Sequence, residues 1–138
     1  MERTLCIIKP DAVKKKYTAK ILQMIIDAGF DIIGMKMLKL TSTQARSFYA
    51  VHKEKPFYNN LVEYITSGQI VAVALQKENA VEDYRKLIGA TDPSKADEGT
   101  IRKLFATSIQ ENAVHGSDSI ENGKTEVAFF FAERDLTI

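Results

Sequence analysis

The chain of 138 residues is poor in the features that mark several protein classes. It has one cysteine, so neither an internal disulfide nor a thiolate zinc cluster can form, and a reducing cytosol suits it better than secretion. It shows no repeat and no low-complexity stretch. Charge of one sign is also lacking, since 19 Lys and Arg stand against 18 Asp and Glu. A net charge of +1 advertises no nucleic-acid partner and no field towards an acidic surface. Apolar runs are interrupted well short of the roughly 18 residues of a membrane span. The N-terminus passes from Met1 into strand-like Thr4–Ile8 without the basic, apolar and cleavage regions of a signal peptide. What is present is 45% hydrophobic and 27% charged. Residues 1–138 therefore read as one soluble, cytoplasmic domain with an ordinary core.

Thr4 to Lys9 reads as a strand ended by Pro10 and Asp11. Leu5, Cys6, Ile7 and Ile8 are consecutive and apolar, which predicts a central strand covered on both faces. Tyr17 to Gly29 carries Ile21, Leu22, Ile25 and Ile26 at helical spacing, with Thr18 as N-cap and Gly29 as the stop. Asp31 to Leu40 is strand-like, with Ile33, Met35 and Met37 on one side. Thr41, Ser42 or Thr43 starts a short helix through Ala50, and Pro56 begins another that ends before Gly68. Ile70 to Gln76 is a second unbroken apolar strand, and Asn79 to Ile88 is a helix. Gly89 to His115 is weakly patterned apart from a short helix at Thr100 to Ala106. Gly116 to Gly123 reads as turns and Glu126 to Phe131 as the last strand. Four strands with crossover helices in so short a chain predict an α+β, ferredoxin-like split βαβ sandwich with a four-stranded antiparallel sheet. The long loop matters, because a loop of more than about 12–15 residues is usually functional or disordered.

Two histidines are available. His115, in Asn112-Ala-Val-His115-Gly116-Ser117-Asp118-Ser119, sits beside a glycine, hydroxyls and a carboxylate that can hold an imidazole in one tautomer as base or nucleophile. Local composition leaves this open against a structural loop histidine. His52 reads as a solvated helix end. Lys9, Arg85 and Arg102, together with Thr91, are separated positions of the kind a polyphosphate needs; each alone reads as a surface residue, Lys9 less so because it ends an apolar strand beside Pro10 and Asp11. Phe57, Tyr58 and Leu61 are open between helix packing and clamping a flat base. No Gly-x-x-x-x-Gly-Lys-Ser/Thr loop, dinucleotide fingerprint or protein-kinase signature occurs. Any nucleotide would be held without glycine cradles, and any metal would be Mg²⁺ carried on phosphates.

The segment Asn112-Ala-Val-His115-Gly116-Ser117-Asp118 resembles the active-site signature of nucleoside diphosphate kinases, and the likeness runs along the chain. It includes Thr4–Asp11, Tyr49, Lys55-Pro56-Phe57, Leu87-Ile-Gly-Ala-Thr91-Asp-Pro93 and Gly99-Thr-Ile-Arg102. The resemblance implies Mg²⁺-dependent, ping-pong transfer of a γ-phosphoryl group, typically from ATP to a diphosphate such as GDP, through a phosphohistidine. It implies His115 as nucleophile, Glu126 on its other ring nitrogen and Ser117 steadying Glu126. Lys9, Tyr49, Arg85, Thr91, Arg102 and Asn112 would meet phosphates or ribose, Phe57 and Leu61 the base, and Asp118 a Mg²⁺ ion through water. It further implies a homo-oligomer, tetramer or hexamer.

Lys16 and Ala19 replace glycines common in relatives, Gln69 replaces a proline, and Lys103-Leu104 replace Gly-Asp. These departures bear on loops and subunit contacts. The rival reading is a non-catalytic nucleotide-binding regulatory module on the same fold. An RNA-binding module fits poorly, for want of exposed aromatics interleaved with basic residues.

Overall fold

In the computed structural model, which describes residues 1–138, Leu5, Cys6, Ile7 and Ile8 are all fully buried. They lie on strand β1 (Glu2–Ile8), which pairs antiparallel with β3 (Ile70–Lys77) on one side and β4 (Val114–His115) on the other. Strand β2 (Asp31–Leu38) adds antiparallel to the free side of β3, so the sheet order is β2-β3-β1-β4. This is the expected four-stranded antiparallel sheet with helices against it. Alternation sends Leu5 and Ile7 into one core cluster and Cys6 and Ile8 into the other. The first cluster is closed by α3 (Ser42–Phe48), α4 (Tyr58–Ile65) and α7 (Ile120–Phe130) through Ala45, Val62, Ile65 and Val127. The second is closed by α2 (Thr18–Asp27), α5 (Ala80–Ile88) and α6 (Ile101–Phe105) through Ile21, Ile25, Tyr84 and Ile101.

Three expectations are corrected. Glu126 to Phe131 is not a strand: Glu126 to Phe130 form the last turns of α7, and Phe131 follows as its extended C-cap. The unbroken apolar run Val127–Phe131 reads like a buried strand, yet Ser119 caps the segment by accepting from the Asn122 N–H at 3.0 Å, and burial follows Gly123, Val127 and Phe130. The fourth strand is instead the two-residue β4 inside the long loop. In β2, Ile33 is the extra residue of a bulge, since Ile32 faces Leu75 and Gly34 faces Ala74. Met35 and Met37 therefore lie opposite Val73 and Val71 of the second cluster, exposed, while Ile33 is buried in the first. Helix α2 begins after Tyr17 rather than at a Thr18 cap, and neither side chain caps it.

Helix α1 (Pro10–Lys14) occupies what reads as a turn in the sequence. Pro10 at its first position supplies the favoured φ and gives up an N–H that would have no partner there. The Thr41 cap is formed as a full capping box with Gln44. No helix is long and apolar enough to cross a membrane.

Candidate active site

His115 ends β4, where its backbone pairs with Ile7, and Glu126 faces it from α7. The His115 Nε2 lies 2.8 Å from Glu126 Oε1, and the Ser117 hydroxyl donates to the same oxygen at 2.7 Å. Ser117 is fully buried and accepts the Leu5 N–H at 3.1 Å, which ties this acid to the central strand. A carboxylate on Nε2 selects the tautomer with its proton there, so the Nδ1 lone pair is free, and Nδ1 has no partner within the chain. Phe48 packs edge-on to the imidazole, with ring centres 5.6 Å apart, and limits its swing.

Lys9 follows β1 and is buried with its ammonium donating to Asn112 Oδ1 at 2.8 Å. Burial lowers its pKa to about 8, helped by the nearby Arg102 charge and opposed by Asp11. The Asn112 amide donates in turn to the Thr91 carbonyl at 3.4 Å. Arg102, on α6, is buried with Nη1 on the Gly89 carbonyl at 3.1 Å and Nη2 on the Val114 carbonyl at 2.9 Å. Its Nε is buried without a partner. Burial lowers the guanidinium pKa, but an arginine remains charged. Arg85, Thr91, Arg102 and Asp118 share the wall of a cleft of about 750 Å³, into which the N-terminal end of α7 also brings Ser119 and Ile120. Arg85, Thr91 and Asp118 are exposed there.

Tyr49 is buried at the C-terminal end of α3, and burial together with the Glu126 charge raises its phenol well above the ordinary value. It keeps its proton and is a donor. Phe57 is exposed on the other side of His52, whose ring lies 5.6 Å from Phe57 and 6.3 Å from Tyr49. His52 is thus packed rather than solvated. Leu61 is half-buried against the first cluster. Phe57 and Leu61 do not line the cleft that holds Arg85 and Arg102.

The predicted residues therefore fall into three adjoining groups: His115–Glu126–Ser117, the cations with Asn112 and Thr91, and the aromatic side at Phe57. Asp118 spends one oxygen on the Asn122 amide. No group of three His, Cys, Asp or Glu side chains could hold a metal. Sequence reasoning missed Phe48, Asp11 and Tyr64. Asp11 is buried, its Oδ1 accepts the Tyr64 hydroxyl and its Oδ2 accepts the Ala113 N–H at 3.1 Å. The signal available in the sequence was an acid directly after Lys9-Pro10, which reads equally well as a helix-start residue.

Residues 2–136 match the family model described as Nucleoside diphosphate kinase. A nucleoside diphosphate kinase of Chlorobaculum tepidum is 58% identical over 136 residues, covering 99% of this chain and 97% of that protein. The crystal structure of the Aquifex aeolicus nucleoside diphosphate kinase superposes with a TM-score of 0.96 at 42% identity, covering 99% of each chain. The Halobacterium salinarum nucleoside diphosphate kinase, solved in complex with CDP, gives 0.94 at 34% identity over 99% of this chain and 91% of that one.

Proposed function

The chain belongs to the nucleoside diphosphate kinase family and moves the γ-phosphoryl group of a nucleoside triphosphate to a nucleoside diphosphate; from that premise we propose how its own residues carry the transfer. The single observation behind the reading is the contact of Nε2 with Glu126, which leaves Nδ1 as the free nucleophile. Nδ1 attacks the γ-phosphorus, an N–P bond forms, and the bond from phosphorus to the β,γ-bridging oxygen breaks. That oxygen keeps the electron pair and leaves on the diphosphate. Nε2 retains its proton against Glu126, whose charge offsets the positive charge gained by the ring. A terminal oxygen of a second diphosphate then attacks the phosphorus, and the N–P pair returns to Nδ1.

Lys9, Arg85 and Arg102 balance charge on the transferring oxygens, and Thr91 and Asn112 orient phosphates and sugar. Tyr49 donates from beside Glu126. Phe57 stacks on the base from an exposed position, with Leu61 beneath, and this suits purines and pyrimidines alike because the contact reads a flat face. A lone Asp118 on a cleft wall fits Mg²⁺, which keeps its waters and takes most of its ligands from phosphates. When bound, the ion supplies charge neutralisation on those phosphates.

Residues 1–138 act as one cytoplasmic domain in a homo-oligomer, tetramer or hexamer. Support for assembly comes from Ile26 and from Met35 and Met37 of edge strand β2, each more than half exposed. Varying ATP against fixed levels of GDP tests the cycle. Parallel double-reciprocal lines with GTP as product are expected. Nucleotide binding without GTP would leave only the regulatory-module reading.

A further inference from the structure

We propose that Asp11 and Tyr64 form a positioning strut for Ala113, and through it for Asn112 and His115, a role that rests on the phosphotransfer reading above. Ala113 has φ of +73°, a region that residues with a Cβ rarely occupy. The Val114 N–H donates back to the Asn112 carbonyl at 2.8 Å, so Ala113 is the apex of a three-residue γ-turn of the strained hand. Ala113 is fully buried, and such strain persists only where its surroundings over-determine it.

The surroundings are the Lys9-Pro10-Asp11 segment. The Ala113 carbonyl accepts the Lys9 N–H at 2.9 Å, and the Ala113 N–H donates to Asp11 Oδ2 at 3.1 Å. The Lys9 ammonium reaches the neighbouring Asn112 side chain. One short segment therefore grips the turn from both sides. Tyr64 fixes the grip, since its hydroxyl donates to Asp11 Oδ1 and accepts the Asp11 N–H at 3.1 Å. Asp11 is thereby held by both its backbone and its carboxylate. Burial and the Asp11 carboxylate raise the Tyr64 phenol far above its ordinary value, so it stays a donor.

Neither residue lines the cleft with Arg85 and Arg102. Both face a separate hollow of about 530 Å³, with Ser67 and Glu111. Tyr64 acts on the chemistry only through Asp11 and the backbone, whereas the Asp11 carboxylate also acts on the Lys9 ammonium through its charge. A rotation at Ala113 would displace Asn112 on one side and the Val114–His115 strand on the other, and misplacement of reacting groups by about 1 Å is costly.

The test uses Tyr64→Phe, Ala113→Gly and their combination in the full chain. It reads single-turnover phosphoenzyme formation from γ-labelled ATP, KM, and hydrogen exchange at residue 113. Tyr64→Phe is expected to slow phosphoenzyme formation about tenfold while KM for ATP moves less than about twofold. The Ala113 amide should exchange about tenfold faster as the turn opens locally. Glycine accepts positive φ without steric cost, so in the Ala113→Gly background the loss of the hydroxyl should cost less than about threefold. Asp11→Asn, which keeps an acceptor for Ala113 but no longer satisfies both donors as a carboxylate, should speed exchange at residue 113 likewise, and that exchange, compared at a pH well below 8 where Lys9 stays charged, serves if Tyr64→Phe does not fold. Unchanged exchange at Ala113, or equal losses in both backgrounds, would overturn the strut. Absence of a phosphoenzyme in the unaltered protein would instead contradict the phosphotransfer reading, and exchange at Ala113 would still decide the strut.

Discussion

Ser117→Ala removes one oxygen that serves two elements. The Ser117 hydroxyl accepts the Leu5 N–H at 3.1 Å and donates to Glu126 at 2.7 Å. Beyond the Ile7–His115 and Ile8–Val114 pairs, β1 has no further partner on the β4 side, so Ser117 extends that ladder by one bond. Leu5 and Ser117 are both fully buried, and water cannot replace the lost acceptor. An orphaned buried N–H costs about 1–3 kcal/mol. Glu126 is partly solvated, so its lost donor adds little. A destabilisation of about 2 kcal/mol would lower Tm by about 7 °C in a chain of this length. Activity should fall about tenfold, because Glu126 keeps only His115 at Oε1 and no longer presents one fixed face to the ring. Thermal melts at fixed protomer concentration, with phosphoenzyme formation on the same samples, provide the check. Full activity in a destabilised Ser117→Ala protein would refute the claim that this hydroxyl steadies the acid. Unchanged Tm would refute the claim that it completes the strand.

Lys9 makes the pH response specific. Its ammonium loses its proton near pH 8 in the folded protein, about two units below an exposed lysine. The folded state therefore holds fewer protons than the unfolded chain between about pH 8 and 10.4, and Lys9's contribution to stability rises with pH across that window. Activity runs the other way, since kcat/KM of the free enzyme should fall as the pH passes about 8 and the charge is lost. A flat profile to pH 10 would remove Lys9 from phosphate binding. At Gly123 an added Cβ would sit 2.2 Å from the Arg3 carbonyl oxygen, and backbone cannot yield as a side chain does. Gly123→Ala should cost about 3 kcal/mol, seen as a Tm lower by about 10 °C, and carry Glu126 away from His115 with α7. A normal melt would mean that α7 does not pack this closely on β1.

Legibility followed the strength of local pattern. Strands β1 and β3 are uninterrupted apolar runs and read directly, whereas the start of α3 reads only as Thr41, Ser42 or Thr43, of which Thr41 is the cap. Helix α7 is hidden in the sequence because an apolar run, Val127 to Phe131, begins at its C-terminal end, passes beyond it, and mimics a strand. The bulge at Ile33 reversed the facing of Met35 and Met37, and alternation has no means of signalling an extra residue. The site was legible as a motif around His115, but not as geometry. Lys9 Nζ meets Asn112 Oδ1 at 2.8 Å, and His115 Nε2 lies 2.8 Å from Glu126, which sits on a helix where the apolar run predicts a strand. Asp11 and Tyr64 stayed unseen because their role is a hydrogen-bond relation to a backbone with positive φ, which no spacing encodes.

The central claim is that Nδ1 of His115 is the phosphoryl acceptor. Reacting the protein with γ-labelled ATP alone and locating the label by mass spectrometry under alkaline conditions tests it most directly. The expected product is an acid-labile phosphoenzyme with phosphorus on Nδ1 of His115, discharged by added GDP and absent from His115→Gln. Label on another side chain, or an equally reactive phosphoenzyme in His115→Gln, would contradict the account.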